Sequence, residues 1–225
     1  MSRAARGRPQ PFTVDVVAVT PRDGELAVLL ERESAGNNGR ERWMLPWEAP
    51  RGDEQLDDVA QQVAREAIGA APSWISQVGA FADGRHPSDT DLSVAYVALA
   101  PLGTDTQGDD RVWRPVRDLA GLGERQEAIV QGALTAVRDR LDLYPIAFRL
   151  LPGAFTLSEL QQMYELLLGR RLHKASFRRA LQAAYLVEPT DEWRSEGRGR
   201  PAQLYRYAPK RRRRSRRGVR FDLLG

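Results

Sequence analysis

The chain has 225 residues, 42% hydrophobic and 28% charged, the balance of a folded soluble protein with room for one large or two ordinary domains. It has no cysteine and two histidines, His86 and His173, which excludes disulfides, thiolate nucleophiles and a typical zinc site. The net charge of +4 conceals an asymmetry: residues 1–10 carry +3, residues 11–143 carry −10 and residues 144–225 carry +11. A nucleic-acid or acidic-surface partner is therefore expected for the two ends and not for the body. The basic N-terminus MSRAARGRPQPF is followed by no apolar run, so it is not read as a signal peptide. No stretch reaches the roughly 20 apolar residues that cross a bilayer. The expected location is the cytoplasm, on the nucleoid, with no membrane partner.

In chain order, FTVDVVAVT (12–20) and LAVLLER (26–32) are apolar, β-branched runs joined by the turn PRDGE, which predicts a hairpin. In EQLDDVAQQVAREAIG (54–69), Leu56, Val59, Ala60, Val63 and Ala67 recur at helical spacing and Gly69 suits a C-cap. SWISQVGAFAD (73–83) and LSVAYVALA (92–100) predict two further strands, and GERQEAIVQGALTAVRDRL (123–141) a long helix, with GTDTQGDD as a loop between. After Tyr144-Pro145 the pattern changes. YPIAFRLLPGAF predicts a short helix and a Pro-Gly turn, and Thr156-x-x-Glu159 is a capping box opening TLSELQQMYELLLG. In the next predicted helix, HKASFRRALQAAYL (173–186), Phe177, Leu181, Ala184 and Tyr185 are expected inward. Lys174, Arg178 and Gln182 form an outward stripe with Arg179 beside it. Three helices followed by a β-hairpin is the order of a winged helix-turn-helix.

The stretch LPWEAPRGDEQLDDVAQQVAREAIGA (45–70) resembles the box of the Nudix family, G-x5-E-x7-R-E-U-x-E-E-x-G-U with U aliphatic. Leu45-Pro46, Glu54, Glu66 and Gly69 match; Glu48, Gln62-Val63 and Ala67 depart from it. The family's chemistry needs several glutamates to hold Mg²⁺ beside a pyrophosphate. One of the three at the end of the box remains, so no catalytic residue, metal ligand or cofactor is expected here. Asp57 and Asp58 are read as favourable charges at a helix N-terminus.

A Nudix-like domain followed by a winged helix resembles the layout of the NrtR-type transcriptional regulators of NAD metabolism. VGAFADGRHPSDTDLSVAYVALAP, VWRPVRDLAGL, FTLSELQQMYELLLGRRLHKASFRR and GRGRPAQLYRY carry the likeness, over roughly residues 12–208. It implies an α/β/α sandwich of Nudix type and a winged helix-turn-helix. The domain expectations are a basic arm at 1–11, an effector and dimerisation domain at 12–143, a DNA-binding domain at 144–209 and a polybasic tail at 210–225. It further implies a homodimeric repressor whose inactive Nudix-like domain binds a nucleotide such as ADP-ribose as effector. Two departures stand near the effector pocket: Trp47-Glu48 replaces glycines, and GERQE replaces the usual acid-histidine pair.

For DNA, the expected contacts in the third helix of the winged helix are Lys174, Ser176, Arg178, Arg179 and Gln182, since Arg pairs with guanine and Gln with adenine. The tetrapeptide RGRP occurs twice, with Arg6 and Arg8 in the arm and Arg198 and Arg200 in the predicted wing. It is the core of the AT-hook: glycine lets the backbone approach the groove floor and arginines follow the narrow minor groove of A/T-containing DNA. A palindromic operator with A/T content is the expected partner. For the effector, Trp43 is a candidate for stacking on a base, and Arg32, Arg51, Arg65 and Arg85 for meeting a pyrophosphate. Two other readings remain open. One is an active Nudix pyrophosphohydrolase with an accessory DNA-binding domain, favoured by Glu54 and Glu66 alone. The other is a DNA-binding regulator whose Nudix-like domain is only a dimerisation scaffold.

Overall fold

The computed structural model describes residues 11–32, 42–106, 108–195 and 201–209. The described chain forms two compact units divided between Ala136 and Val137. Among the described residues no helix is long and apolar enough to cross a membrane.

The first unit is built on a mixed seven-stranded sheet. Strands β1 (Phe12–Arg22) and β2 (Glu25–Arg32) form the expected hairpin. Asp23 and Gly24 turn it with φ of 49° and 78°, the left-handed pair that an Asp-Gly two-residue turn supplies. β3 (Trp43–Met44) pairs antiparallel with β2, and β4 (Trp47–Glu48) pairs antiparallel with β1. Helix α1 (Leu56–Ile68) crosses to β5 (Trp74–Phe81) and β6 (Leu92–Leu99), which pair antiparallel, while β6 runs parallel to β1. β7 (Arg111–Pro115) pairs with β2, and helix α2 (Glu124–Arg140) follows.

The apolar stripe of α1 explains its place. Val59, Ala60, Val63, Ala64, Ala67 and Ile68 pack on Val14, Val16, Ala18, Val94, Tyr96 and Ala98 of β1 and β6. Each fully buried valine or isoleucine contributes about 1.5–3 kcal/mol by removal from water. Residues 13–20 of β1 are buried without a break, so both sheet faces are covered. Near β5, a Cβ added to Gly132 of α2 would stand 2.7 Å from Phe81 Cζ. Glycine costs a helix interior about 1 kcal/mol; here it admits the Phe81 ring.

The second unit holds α3 (Ile146–Arg149), α4 (Leu157–Leu168), α5 (Lys174–Ala184) and the hairpin of β8 (Val187–Arg194) and β9 (Ala202–Tyr207). The capping box is present: Glu159 N donates to Thr156 Oγ1 at 3.1 Å and Thr156 N donates to Glu159 Oε2 at 2.6 Å. Arg194 of β8 donates to the same Glu159 at 2.6 Å, tying the hairpin to the start of α4. Phe148, Phe155, Tyr164 and Phe177 form an aromatic centre, with centroids 5.9 Å apart for Phe148–Phe155 and 5.6 Å for Tyr164–Phe177. One expectation is corrected. Tyr185 is not inward but half exposed, because α5 ends at Ala184 and Tyr185 takes the left-handed C-cap conformation, φ 51°, which turns it off the helical face.

Glu165 fixes the α4–α5 turn. Its carboxylate accepts from Leu172 N at 2.9 Å, Gln161 Nε2 at 3.0 Å and Arg171 Nη1 at 3.2 Å. Burial pushes its pKa up, but these donors outweigh burial and hold the carboxyl below the usual carboxylate range. A depressed folded-state pKa contributes stability that is complete above the unfolded value and is lost as pH falls through the folded one. The winged helix is therefore expected to melt progressively earlier as pH drops below the ordinary glutamate range. Glu165→Gln should flatten that slope while lowering the melting temperature at neutral pH. Melts of both proteins across the acid limb check this; parallel curves would exclude the role given to Glu165.

Candidate functional site

Two surfaces carry chemistry. The first is the outer face of α5. Phe177 and Leu181 anchor the helix in the core, which leaves Lys174, Arg178, Arg179 and Gln182 exposed. Ser176 is half-buried, its Oγ 3.3 Å from Nδ1 of His173, the N-cap residue. No acidic residue occurs in α5, and among the described residues no carboxylate pairs with Lys174, Arg178 or Arg179. This face presents uncompensated positive charge on a helix of the shape that fits a major groove. The connection between β8 and β9 includes Arg198 and Arg200, which lie outside the described residues, as do Arg6, Arg8 and the 210–225 tail.

The second surface is a cavity of about 270 Å³ in the first unit, lined by residues 42–44, 85–87, 89, 121, 123 and 126. Three separate segments converge there: the start of β3, the loop between β5 and β6, and the approach to α2. Trp43 and Arg85 both line it. Arg114 Cζ stands 5.2 Å from the Trp43 ring centroid, a cation–π contact that holds the indole in place. The other three expected effector residues lie elsewhere. Arg32 ends β2 opposite Trp43. Arg51 stands 3.8 Å from Glu48, and Arg65 is exposed on α1.

Beneath the cavity runs a buried polar chain. Ser88 N donates to His86 Nδ1 at 3.1 Å, so Nε2 carries the ring proton and donates to Asp15 Oδ1 at 2.9 Å. Ser88 Oγ also reaches Nδ1 at 2.6 Å, and Thr90 Oγ1 is 3.0 Å from Ser88 Oγ. Thr13 donates to Asp15 Oδ2 at 2.6 Å, with Ser93 Oγ 3.0 Å behind it. Both side chains of the His86–Asp15 pair are 0% exposed. Trp47 meets the His86 ring edge-on at 5.1 Å. The residue that replaces a family glycine thus packs against the cavity floor.

The loop from Ala82 to Thr90 is gripped from α2. Buried Arg125 donates to the carbonyls of Ala82 at 3.0 Å, Asp83 at 3.2 Å, Gly84 at 2.6 Å and Thr90 at 2.7 Å. Gly84 has φ +76°, and a Cβ there would stand 3.0 Å from Arg125 N, so the close approach needs glycine. Arg42, His86, Arg125 and Gln126 escape a sequence reading; the only signal for Arg125 and Gln126 is that they occupy the position where GERQE departs from the family.

A second cavity, about 360 Å³, is lined by Asp57, Gln61, Ile75, Ser76, Gln77 and Tyr96. Tyr96 Oη donates to Asp57 at 2.6 Å; burial, then Asp57, pushes the Tyr96 pKa up. It is larger, but its one charge is a carboxylate, which repels phosphate. The cavity with Arg42 and Arg85 holds two guanidiniums against one carboxylate, Asp89, and so has the charge that suits an anion.

The box carboxylates Glu54 and Glu66 make local hydrogen bonds. Val63 and Ala67 are buried against the sheet, Glu66 is exposed and bonded to Gln62 at 2.9 Å, and Glu54 accepts from Arg51 N at 2.8 Å. Among the described residues no three His, Asp or Glu side chains converge as metal ligands.

Comparison with known proteins finds likenesses over the second unit and over most of the chain. Residues 147–207 match the NrtR DNA-binding winged helix domain. The ADPR responsive transcriptional repressor NtrR of Acinetobacter baylyi is 29% identical over 210 residues, 89% of this chain and 83% of that protein. Shewanella oneidensis NrtR, in its crystal structure with a 27mer DNA, superposes with a TM-score of 0.74 at 29% identity, over 89% of this chain and 94% of that one. A MutT/nudix family protein from Enterococcus faecalis shares the fold, with a TM-score of 0.67 at 22% identity, over 89% of this chain and 88% of that one.

Proposed function

We propose that this chain, an NrtR-type protein in which a Nudix-like domain precedes the winged helix, is a DNA-binding transcriptional repressor that responds to ADP-ribose. The observation that carries the reading is the α5 face, basic, exposed and with no acidic residue in the helix, on a stretch that matches the NrtR winged helix domain. DNA binding is assigned to 144–209 and effector binding to 12–143; the unit boundary at 136/137 and the family match starting at 147 lie on either side of that division. Lys174, Arg178, Arg179 and Gln182 are the side chains assigned to DNA, with Ser176 at their edge. The RGRP arginines Arg6, Arg8, Arg198 and Arg200 are assigned to the minor groove. The working form is a homodimer on a palindromic operator, with α5 of each copy in a major groove.

The effector is placed in the cavity of Trp43 and Arg85. A flat indole, a buried amide and two guanidiniums (Arg42 and Arg85) that outnumber the one carboxylate, Asp89, suit an anionic nucleotide. The likeness to the ADPR responsive repressor supports ADP-ribose as that nucleotide. The reading treats the domain as a sensor without hydrolase activity, because apolar Val63 and Ala67 stand where a Nudix enzyme places carboxylates. Two measurements test it. ADP-ribose should raise the melting temperature, by up to about 2.7 kcal/mol of stabilisation at a hundred-fold excess over its Kd. Incubation with ADP-ribose and Mg²⁺ should release no AMP at steady state; sustained, enzyme-proportional AMP would make the protein a hydrolase.

A further inference from the structure

We infer that Gln126 is the residue through which this cavity reads its effector: its side-chain amide Nε2 donates a hydrogen bond to an acceptor atom of the bound nucleotide. This rests on the cavity assigned above.

Gln126 lines the cavity and is 1% exposed. Its Nε2 has no hydrogen-bond partner among the described residues. Buried amide nitrogens are nearly always paired, and an unpaired one costs free energy that folding alone does not repay. A group kept in that condition in the wall of a ligand-sized cavity is complementary to something that brings an acceptor. The surroundings define that partner. Arg42 and Arg85, against the single carboxylate of Asp89, favour an anion, and Trp43 offers an aromatic face. A nucleotide combines negative charge, a flat ring and many acceptor atoms.

The neighbouring residues fix the backbone that carries the donor. Gln126 sits in the first turn of α2, next to Arg125, whose guanidinium holds four carbonyls of the loop that carries Arg85 and His86. Gly123, without a side chain, lines the same wall. The helix turn that carries Gln126 is thus part of a pre-built wall, which lowers the ordering cost of binding. A site built to donate to a ligand acceptor rejects ligands lacking it, because its own buried group then stays unpaired.

The test titrates ADP-ribose calorimetrically into the full-length wild-type, Gln126→Leu and Gln126→Glu proteins, and records the melting temperature of each without ligand. Leucine keeps the apolar bulk and removes the orphan donor. Gln126→Leu should melt at or above the wild-type temperature and bind ADP-ribose about ten-fold or more weakly. Gln126→Glu should bind more weakly still, since it faces an anion with a carboxylate. Wild-type affinity in Gln126→Leu would overturn the inference and leave the effector site standing. A lower melting temperature accompanying weaker binding would assign Gln126 to packing, and overturn it too. A wild-type protein that does not bind ADP-ribose would remove the effector assignment and the inference together.

Discussion

Arg178→Ala/Arg179→Ala is expected to weaken operator binding by roughly thirty-fold to twenty-thousand-fold, with little change in folding. Each arginine that contacts a phosphate or a base edge is worth about 1–3 kcal/mol, and 1.4 kcal/mol is ten-fold in affinity. Both side chains are exposed, and alanine is the best helix former, so stability should shift by no more than about 0.5 kcal/mol. The single variants separate the two kinds of contact. Loss of a phosphate contact weakens specific and random DNA alike and lowers the salt slope by about 1. Loss of a base contact weakens the operator selectively. Fluorescence anisotropy at several salt concentrations distinguishes them; unchanged operator affinity in the double variant would remove α5 from the DNA surface.

Asp15→Ala should destabilise the first unit by about 2–5 kcal/mol, a large part of the total stability of an ordinary domain. The carboxylate is fully buried and accepts from His86 Nε2 and Thr13 Oγ1. Removing it strands both donors in the interior, each costing about 1–3 kcal/mol. Asp15→Asn, which keeps an acceptor, should cost less. Asp15→Ala/His86→Leu should recover part of the loss, because replacing both partners of a buried pair by apolar groups is milder than removing one. Urea unfolding read by tryptophan fluorescence gives the comparison. His86 also lines the cavity, so Asp15→Ala should weaken ADP-ribose binding as well. If Asp15→Ala unfolds at the wild-type urea concentration, the buried chain is not what holds this loop.

Local pattern carried most of the fold. The spacing of Leu56, Val59, Ala60, Val63 and Ala67 predicts α1, and Gly69 ends it with φ +76°. Thr156 and Glu159 announce α4, and the box they predict is formed atom by atom. Short pairings were not legible. β3 and β4 have two residues each, too few for any period, and β7 is a strand because β2 offers it an edge. The inward expectation for Tyr185 failed because helical periodicity continues past the residue where the backbone turns left-handed.

The site was legible only in part, for the same reason. The α5 face follows from one helix and its 3.6-residue period. The cavity is made by segments about forty residues apart, and no local pattern joins Trp43 to Arg85 and Gln126. Arginines are abundant in this chain, so residue type alone did not separate Arg85, which lines the cavity, from Arg51 and Arg65, which do not. Arg125 reads as a surface charge on a helix; four carbonyls brought round by a loop make it a buried clamp.

The central claim is that one protein couples α5 on DNA to a nucleotide in the cavity. The most direct measurement selects DNA from a random pool with the full-length protein, then follows anisotropy of the selected site during titration with ADP-ribose. A palindromic, A/T-containing site released as ADP-ribose saturates is the result this account predicts. A selected site whose affinity does not change at ADP-ribose concentrations that saturate the protein would contradict it.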